Sequence, residues 1–175
     1  MVDKEMETFI PGIEVRIASQ EDLWQIHELA ELIFPATYEN IVSADGIAYM
    51  MELFYAPEAL RSQQESGQVF LIIYFEGKAA GYASYTRLNV LGDFKLNKIY
   101  LNNRMQGKGL GRFLLFDVIR RVKSEGGRSL QLNVNRFNKA VGFYRNLGFT
   151  KLKEELLDIG GGHFMDDYVL QIKII

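Results

Sequence analysis

The chain has 175 residues, 48% hydrophobic and 24% charged, which suits one compact domain with a sizeable core, and no apolar run nears the roughly 20 residues that span a bilayer. With no cysteine there is no disulfide framework, thiol nucleophile or thiolate metal site, and His27 and His163 lie too far apart in sequence to suggest zinc, so no metal is expected. A net charge of −2 without a long Lys/Arg block argues against a nucleic-acid surface, and an N-terminus without the basic-then-apolar order of a secretion signal points to a cytoplasmic protein, with neither nucleic acid nor membrane as partner.

Residues 1–12 are mostly polar and end in Pro11 and Gly12, which reads as a flexible lead-in to a single domain over 13–175. Glu14 to Ile17 alternates as a half-buried strand. Ser19 to Asp22 resembles a capping box with Asp in place of Glu, and Leu23, Ile26, Ala30 and Ile33 make the core stripe of the helix it starts. His27 falls beside that stripe, with no nucleophile nearby for it to activate. Phe34 to Tyr38, containing Pro35, is expected to end this helix, and residues 43–66 read as two short helices broken at Ala56 and Pro57. Tyr49, Met50, Met51, Phe54 and Tyr55 in that segment suit core packing, and also a lid over a substrate pocket.

Gln68 to Phe75 and Ala79 to Leu88 flank Glu76-Gly77-Lys78 as an antiparallel hairpin, and Phe94 to Leu101 returns as a fourth strand. Leu110 to Val122 has helical periodicity and Ser129 to Val134 alternates as a fifth strand, so these form a right-handed parallel βαβ unit. Asn135 to Asn138 turns into a helix carrying Ala140, Val141, Phe143, Tyr144 and Leu147, closed by Gly148. Phe149 to Leu157 and Phe164 to Ile174, joined across Asp158 to His163, complete the strands. The fold class expected is α/β (α+β), one mixed sheet flanked by helices. The last strand could pair within that sheet or across two chains as a homodimer.

Two stretches carry chemistry. In Asn102 to Arg112, the glycines at 107, 109 and 111 allow backbone angles that a Cβ would forbid, between a strand and a helix. Bare amides and the positive end of the helix dipole make such a junction an anion site, suited to phosphate or pyrophosphate, and Lys108 and Arg112 add charge beside it. A tight turn without a ligand would look the same. In Asn135 to Phe149, an asparagine at a loop-to-helix junction can cap the helix or bond a ligand amide, and Tyr144, two turns on, could point back to the same crevice. Taken alone, Tyr144 is as readily a core tyrosine.

Together they resemble the GNAT superfamily of N-acetyltransferases. Gln106-Gly107-Lys108-Gly109-Leu110-Gly111 looks like its Q/R-x-x-G-x-G/A signature, and Asn135 to Phe149 resembles its second motif, an Asn-led helix ending in Phe-Tyr and then Gly-Phe. The order of elements fits over residues 13–174. The resemblance implies about seven strands, mostly antiparallel, with parallel strands four and five splayed, and acetyl-CoA as cosubstrate. Main-chain groups of Ile99, Tyr100 and Leu101 would pair the pantetheine arm, and the amides of Gln106, Gly107, Lys108, Gly109, Leu110, Gly111 and Arg112 would hold the pyrophosphate. Asn138 would bond the pantetheine region, and Tyr144 would protonate the departing sulfur.

Transfer to an amine has a physical requirement. A primary amine with a pKa of about 10.4 is almost wholly protonated at pH 7, and freeing the nucleophile costs roughly 4 to 5 kcal/mol. A carboxylate or a water chain could take that proton. Strand four carries Asn97 and Lys98 where some members of the superfamily place a carboxylate, which leaves Glu31, Glu52, His163, Asp166 and Asp167 as candidates without a winner. Acidic residues in the variable segments, Glu31, Glu39, Asp45 and Glu52 with Asp158, Asp166 and Asp167, hint at a cationic acceptor, a polyamine or a peptide N-terminus. Two rivals exist. A P-loop or Rossmann site fits poorly, because Gly109 is followed by Leu-Gly-Arg and strand five ends in Val134-Asn135 with no acidic residue. A non-catalytic acyl-CoA-binding module would keep the glycines and could dispense with Tyr144.

Overall fold

A computed structural model describes residues 11–174. The chain runs β1 (Ile13–Ile17), α1 (Leu23–Tyr38), α2 (Ala44–Tyr55), α3 (Pro57–Glu65), β2 (Val69–Phe75), β3 (Lys78–Arg87), β4 (Asp93–Leu101), α4 (Leu110–Ser124), β5 (Ser129–Asn135), α5 (Ala140–Asn146), β6 (Thr150–Gly160) and β7 (His163–Lys173). The strands form one seven-stranded sheet in the order β1-β2-β3-β4-β5-β7-β6. Only the β4–β5 pairing is parallel, as the intervening α4 crossover requires. The last strand thus pairs inside the sheet, between β5 and β6. Apart from Pro11 and Gly12, the lead-in lies outside the described residues.

Local chemistry explains most boundaries. Asp22 accepts hydrogen bonds from the Ser19 N–H and the Ser19 hydroxyl, both at 2.8 Å, so the backward half of the capping box forms. The Ser43 hydroxyl accepts from Gly46 N–H at the start of α2, and Pro57 opens α3, where its missing donor costs nothing. Glu76 and Gly77, with φ of 51° and 77°, give the β2–β3 hairpin its two-residue turn. At the end of α5 the Phe149 and Gly148 amides return to the carbonyls of Tyr144 and Arg145, a closure that needs the left-handed φ of 93° at Gly148.

The first helix ends within Phe34 to Tyr38 as expected, but Pro35 does not break it: α1 passes through the proline and stops at Tyr38. Proline removes one intrahelical bond, yet Phe34 and Tyr38 are buried on either side of it and pack on each other with ring centroids 4.5 Å apart. That tertiary anchoring outweighs the local break.

The sheet separates two cores. On one face α4 and α5 pack Leu110, Leu114, Val118, Val141 and Tyr144 against Phe94, Leu96, Leu130 and Leu132. On the other, α1 to α3 cover Phe70, Ile72 and Tyr82 with Ile26, Ile33, Phe34 and Leu60. These three helices lie over the N-terminal half of the sheet, and the tip of the β6–β7 hairpin reaches them from the other side. There the Tyr49 hydroxyl donates to the Ile159 carbonyl at 2.8 Å, and its ring lies 4.9 Å from that of His163.

Candidate active site

The site begins where two strands part. β4 and β5 pair from Asp93 and Ser129 to Leu96 and Leu132, and no further. On the other edge of β4, Ser84 faces Lys98 while Tyr85 faces Leu96, so Asn97 is an extra residue, a β-bulge. Bulges bend a strand and raise its twist. Past the bulge β4 leaves β5, and the edge of Ile99, Tyr100 and Leu101 that would have bonded to β5 faces a cleft of about 860 Å³. Gly81 lets β3 hug this part of β4, since a Cβ there would collide with the Tyr100 carbonyl.

The glycine stretch closes one end of the cleft. After a single 3₁₀ turn, Asn103–Met105, the chain is exposed from Gln106 to Gly109 and enters α4 at Leu110. Gly107 and Gly109 have φ of 81° and 77°, which turns the chain so that the amides of residues 107–111 donate to no main-chain carbonyl among the described residues. Gly111 lets the first turn of α4 approach β4, where a Cβ would lie 3.1 Å from Leu101 Cδ1. The bare amides and helix dipole therefore open toward the cleft, where Gln106 and Gly111 form part of the wall. Lys108 and Arg112 lie over the rings of Phe75 and Phe116.

The second stretch supplies the opposite wall. Asn138 Oδ1 accepts from the Ala140 N–H at 2.9 Å, capping the entry to α5, and Asn138 lines the cleft with Tyr38. Tyr144 is buried edge-on to Phe143 and Phe149, with centroids at 5.3 and 5.6 Å, and borders the cleft. Burial first, then Tyr38 nearby, push its hydroxyl well above the usual tyrosine value, so it stays protonated. It can give up a proton only to a strong base.

Three features of this cleft were not legible in the sequence. Tyr38 and Tyr100, from α1 and β4, meet hydroxyl to hydroxyl at 3.0 Å in the cleft wall. Burial raises Tyr38; its bond to Tyr100 lowers it, Asp167 raises it again and Asn138 lowers it. Asn133 lines the cleft just past the last β4–β5 pair and donates to Glu155 Oε2 at 2.9 Å. Lys98, beside the bulge, points into the second core: its Nζ bonds Gln63 Oε1 at 2.7 Å and lies over the rings of Tyr55 and Phe70. Burial lowers it to about 8.

The five candidate bases separate clearly. Glu31 and Glu52 are exposed, and Glu31 faces His27, whose Nδ1 is tied to the Tyr55 carbonyl at 2.8 Å. His163 stacks on Tyr49, and Asp166 pairs with Arg136 at 2.5 Å. Asp167 is the buried one, 3% exposed, with no salt bridge to a lysine or arginine among the described residues. Burial raises its carboxyl to about 6 against the stabilising pull of Asn133 and Lys95, with Glu155 and Asp166 pushing the same way as burial. No group of three or more His, Cys, Asp or Glu side chains among the described residues could hold a metal ion.

A parted parallel strand pair, a glycine loop leading into a helix at one end and a tyrosine at the other define an acyl-transfer cleft. Residues 38–164 match the acetyltransferase (GNAT) domain model, and the chain belongs to that family of N-acetyltransferases. Spermidine N(1)-acetyltransferase of Thermoplasma acidophilum is 29% identical over 142 residues, covering 79% of this chain and 88% of its own. The structure of PaiA N-acetyltransferase from the same organism, in complex with coenzyme A, superposes with a TM-score of 0.75 at 24% identity, covering 92% of this chain and 98% of that one. A GCN5-related N-acetyltransferase from Rhodopseudomonas palustris has a TM-score of 0.78 at 15% identity, covering 95% and 99%.

Proposed function

We propose that the protein transfers the acetyl group of acetyl-CoA to a primary amine of a small molecule or peptide by direct attack on the thioester. The observation that carries this is one cleft with unpaired loop amides at one end and a protonated, buried tyrosine at the other. Amides of residues 106–112 hold the pyrophosphate, and the free edge of Ile99 to Leu101 pairs with the pantetheine amides. The same edge offers N–H groups to the oxyanion that forms as the amine attacks. Asn138, whose Oδ1 caps the entry to α5, bonds the pantetheine region through its amide N–H. Tyr144 protonates the sulfur as the C–S bond breaks.

The acceptor is a small cationic amine of the polyamine kind. Its support is the spermidine acetyltransferase among the relatives, together with the acidic residues Asp158, Asp166 and Asp167 of the β6–β7 hairpin. The test is thiol release from acetyl-CoA with spermidine, simple alkylamines, amino acids and peptides. Release that depends on the amine, fastest with spermidine, is expected; release with none of them overturns the reading.

A further inference from the structure

The β3–β4 connection, Leu88 to Gly92, belongs to neither core and not to the cleft wall, yet it is largely aliphatic. Val90 is 95% exposed, Leu91 70% and Leu88 48%. Single exposed aliphatic residues are ordinary, but three on one short turn make a patch. The turn is firmly built. Asn89 Oδ1 accepts from the Leu91 and Asp93 N–H groups at 2.9 and 3.2 Å, and its Nδ2 donates to Asp93 Oδ2 at 2.8 Å. The Leu88 N–H donates to the Asp93 carbonyl at 2.8 Å, and the Gly92 carbonyl accepts from the Arg128 N–H at 2.7 Å. Asp93 Oδ1 in turn accepts from the Ser129 hydroxyl at 2.6 Å. The polar side chain of the tip is thus turned back to hold the backbone, while the aliphatic ones are held out in solvent.

We propose that this tip seats on an anionic phospholipid bilayer. Exposed Arg87, Lys123, Arg128 and Lys173 stand at this end of the sheet against Asp93 and Glu125, a positive balance in a chain of net −2. The acidic surplus lies elsewhere. Arg87 lies over the Phe94 ring, 4.5 Å from its centroid, and donates to the Glu125 carbonyl, so it is fixed just behind the tip. Arg128 runs along Gly92, where a Cβ would lie 3.1 Å from its Cγ. Lys173 stands opposite Ser129, which stands opposite Asp93. Aliphatic side chains in front and cations behind match the order of acyl chains and anionic headgroups. A protein partner suits the tip less, because such contacts draw their energy from Trp, Tyr and Arg, with Leu and Val under-represented. Orientation follows from the sheet. β4 runs from Asp93 beside the tip to Leu101 at the cleft, about 26 Å at roughly 3.3 Å per residue. A chain seated by its tip therefore turns the cleft away from the lipid.

The experiment sediments the full chain with vesicles of equal parts phosphatidylglycerol and phosphatidylcholine, and with vesicles of phosphatidylcholine alone, at about 0.1 M salt. The protein should pellet with the anionic vesicles, with an affinity about tenfold or more above that for the neutral ones, and the difference should shrink as salt rises. Val90→Ser/Leu91→Ser should keep the circular dichroism spectrum and melting temperature of the parent and bind the anionic vesicles about tenfold or more weaker. Arg128→Gln/Lys173→Gln should lose affinity for the anionic vesicles alone. No sedimentation with either vesicle, equal binding to both, or binding that the serine pair leaves unchanged would overturn the proposal. So would self-association in solution that the serine pair abolishes, which would make a second copy of the chain the occupant of the tip.

Discussion

At the residue scale the cleft joins groups whose protonation burial has displaced in useful directions. Tyr144 is held protonated, so Tyr144→Phe should bind CoA as before, measured by calorimetry, and lose roughly 100-fold in kcat as an acid catalyst is removed. Unchanged turnover would take Tyr144 out of the reaction. Lys98 is the opposite case, a cation buried on amides and ring faces with no carboxylate partner among the described residues. Its folded pKa of about 8 lies below the unfolded 10.5, so between those values the unfolded chain binds more protons and stability rises with pH. Urea unfolding should show a gain of up to about 3 kcal/mol across that window. Lys98→Met should lack the gain and be about 1 to 3 kcal/mol more stable than the parent at neutral pH. Neither residue announces its environment in sequence: a tyrosine in a helix and a lysine in a strand are ordinary until their neighbours are known.

At the scale of elements, the loop before α4 and the closure of α5 depend on backbone angles that single residues permit. Gly109→Glu puts a side chain at a φ of 77° and a negative charge at the proposed pyrophosphate site. CoA binding should fall below detection in calorimetry while the circular dichroism spectrum stays that of the parent. Both of these elements were legible, because glycine spacing, helical periodicity and the Asn-led helix are local signals. Pro35 leaves α1 unbroken because Phe34 and Tyr38 pack on the rings of Tyr55 and Tyr100, which come from elements far away in sequence. Helix α1 therefore delivers Tyr38 to the cleft only because it survives its proline.

At the scale of the whole molecule, two cores lie on opposite faces of one sheet, and the Tyr49 contact ties α2 to the β6–β7 tip. Tyr49→Phe removes one hydrogen bond of about 1 kcal/mol, so KM for spermidine should rise about fivefold with CoA affinity unchanged. Strand order and the hairpins could be read from alternation and turn residues. The meeting of Tyr38, Tyr100 and Asn133 could not, since they come from α1, β4 and β5 and line one cleft only where β4 has bent away from β5. That bend rests on Asn97, and the extra residue does something further to the arithmetic of the strand. Phe94, Leu96, Ile99 and Leu101 all serve the α4 core at intervals of two, three and two, while Lys98 and Tyr100 serve the α1 side. Asn97 resets the odd–even count in mid-strand. Removing it would do more than close the cleft: either Phe94 and Leu96 or Ile99 and Leu101 would have to change sides, exchanging apolar residues for Lys98 and Tyr100 in a packed interior. The opening that admits substrate and the assignment of side chains to two cores are one choice, made by a single added residue.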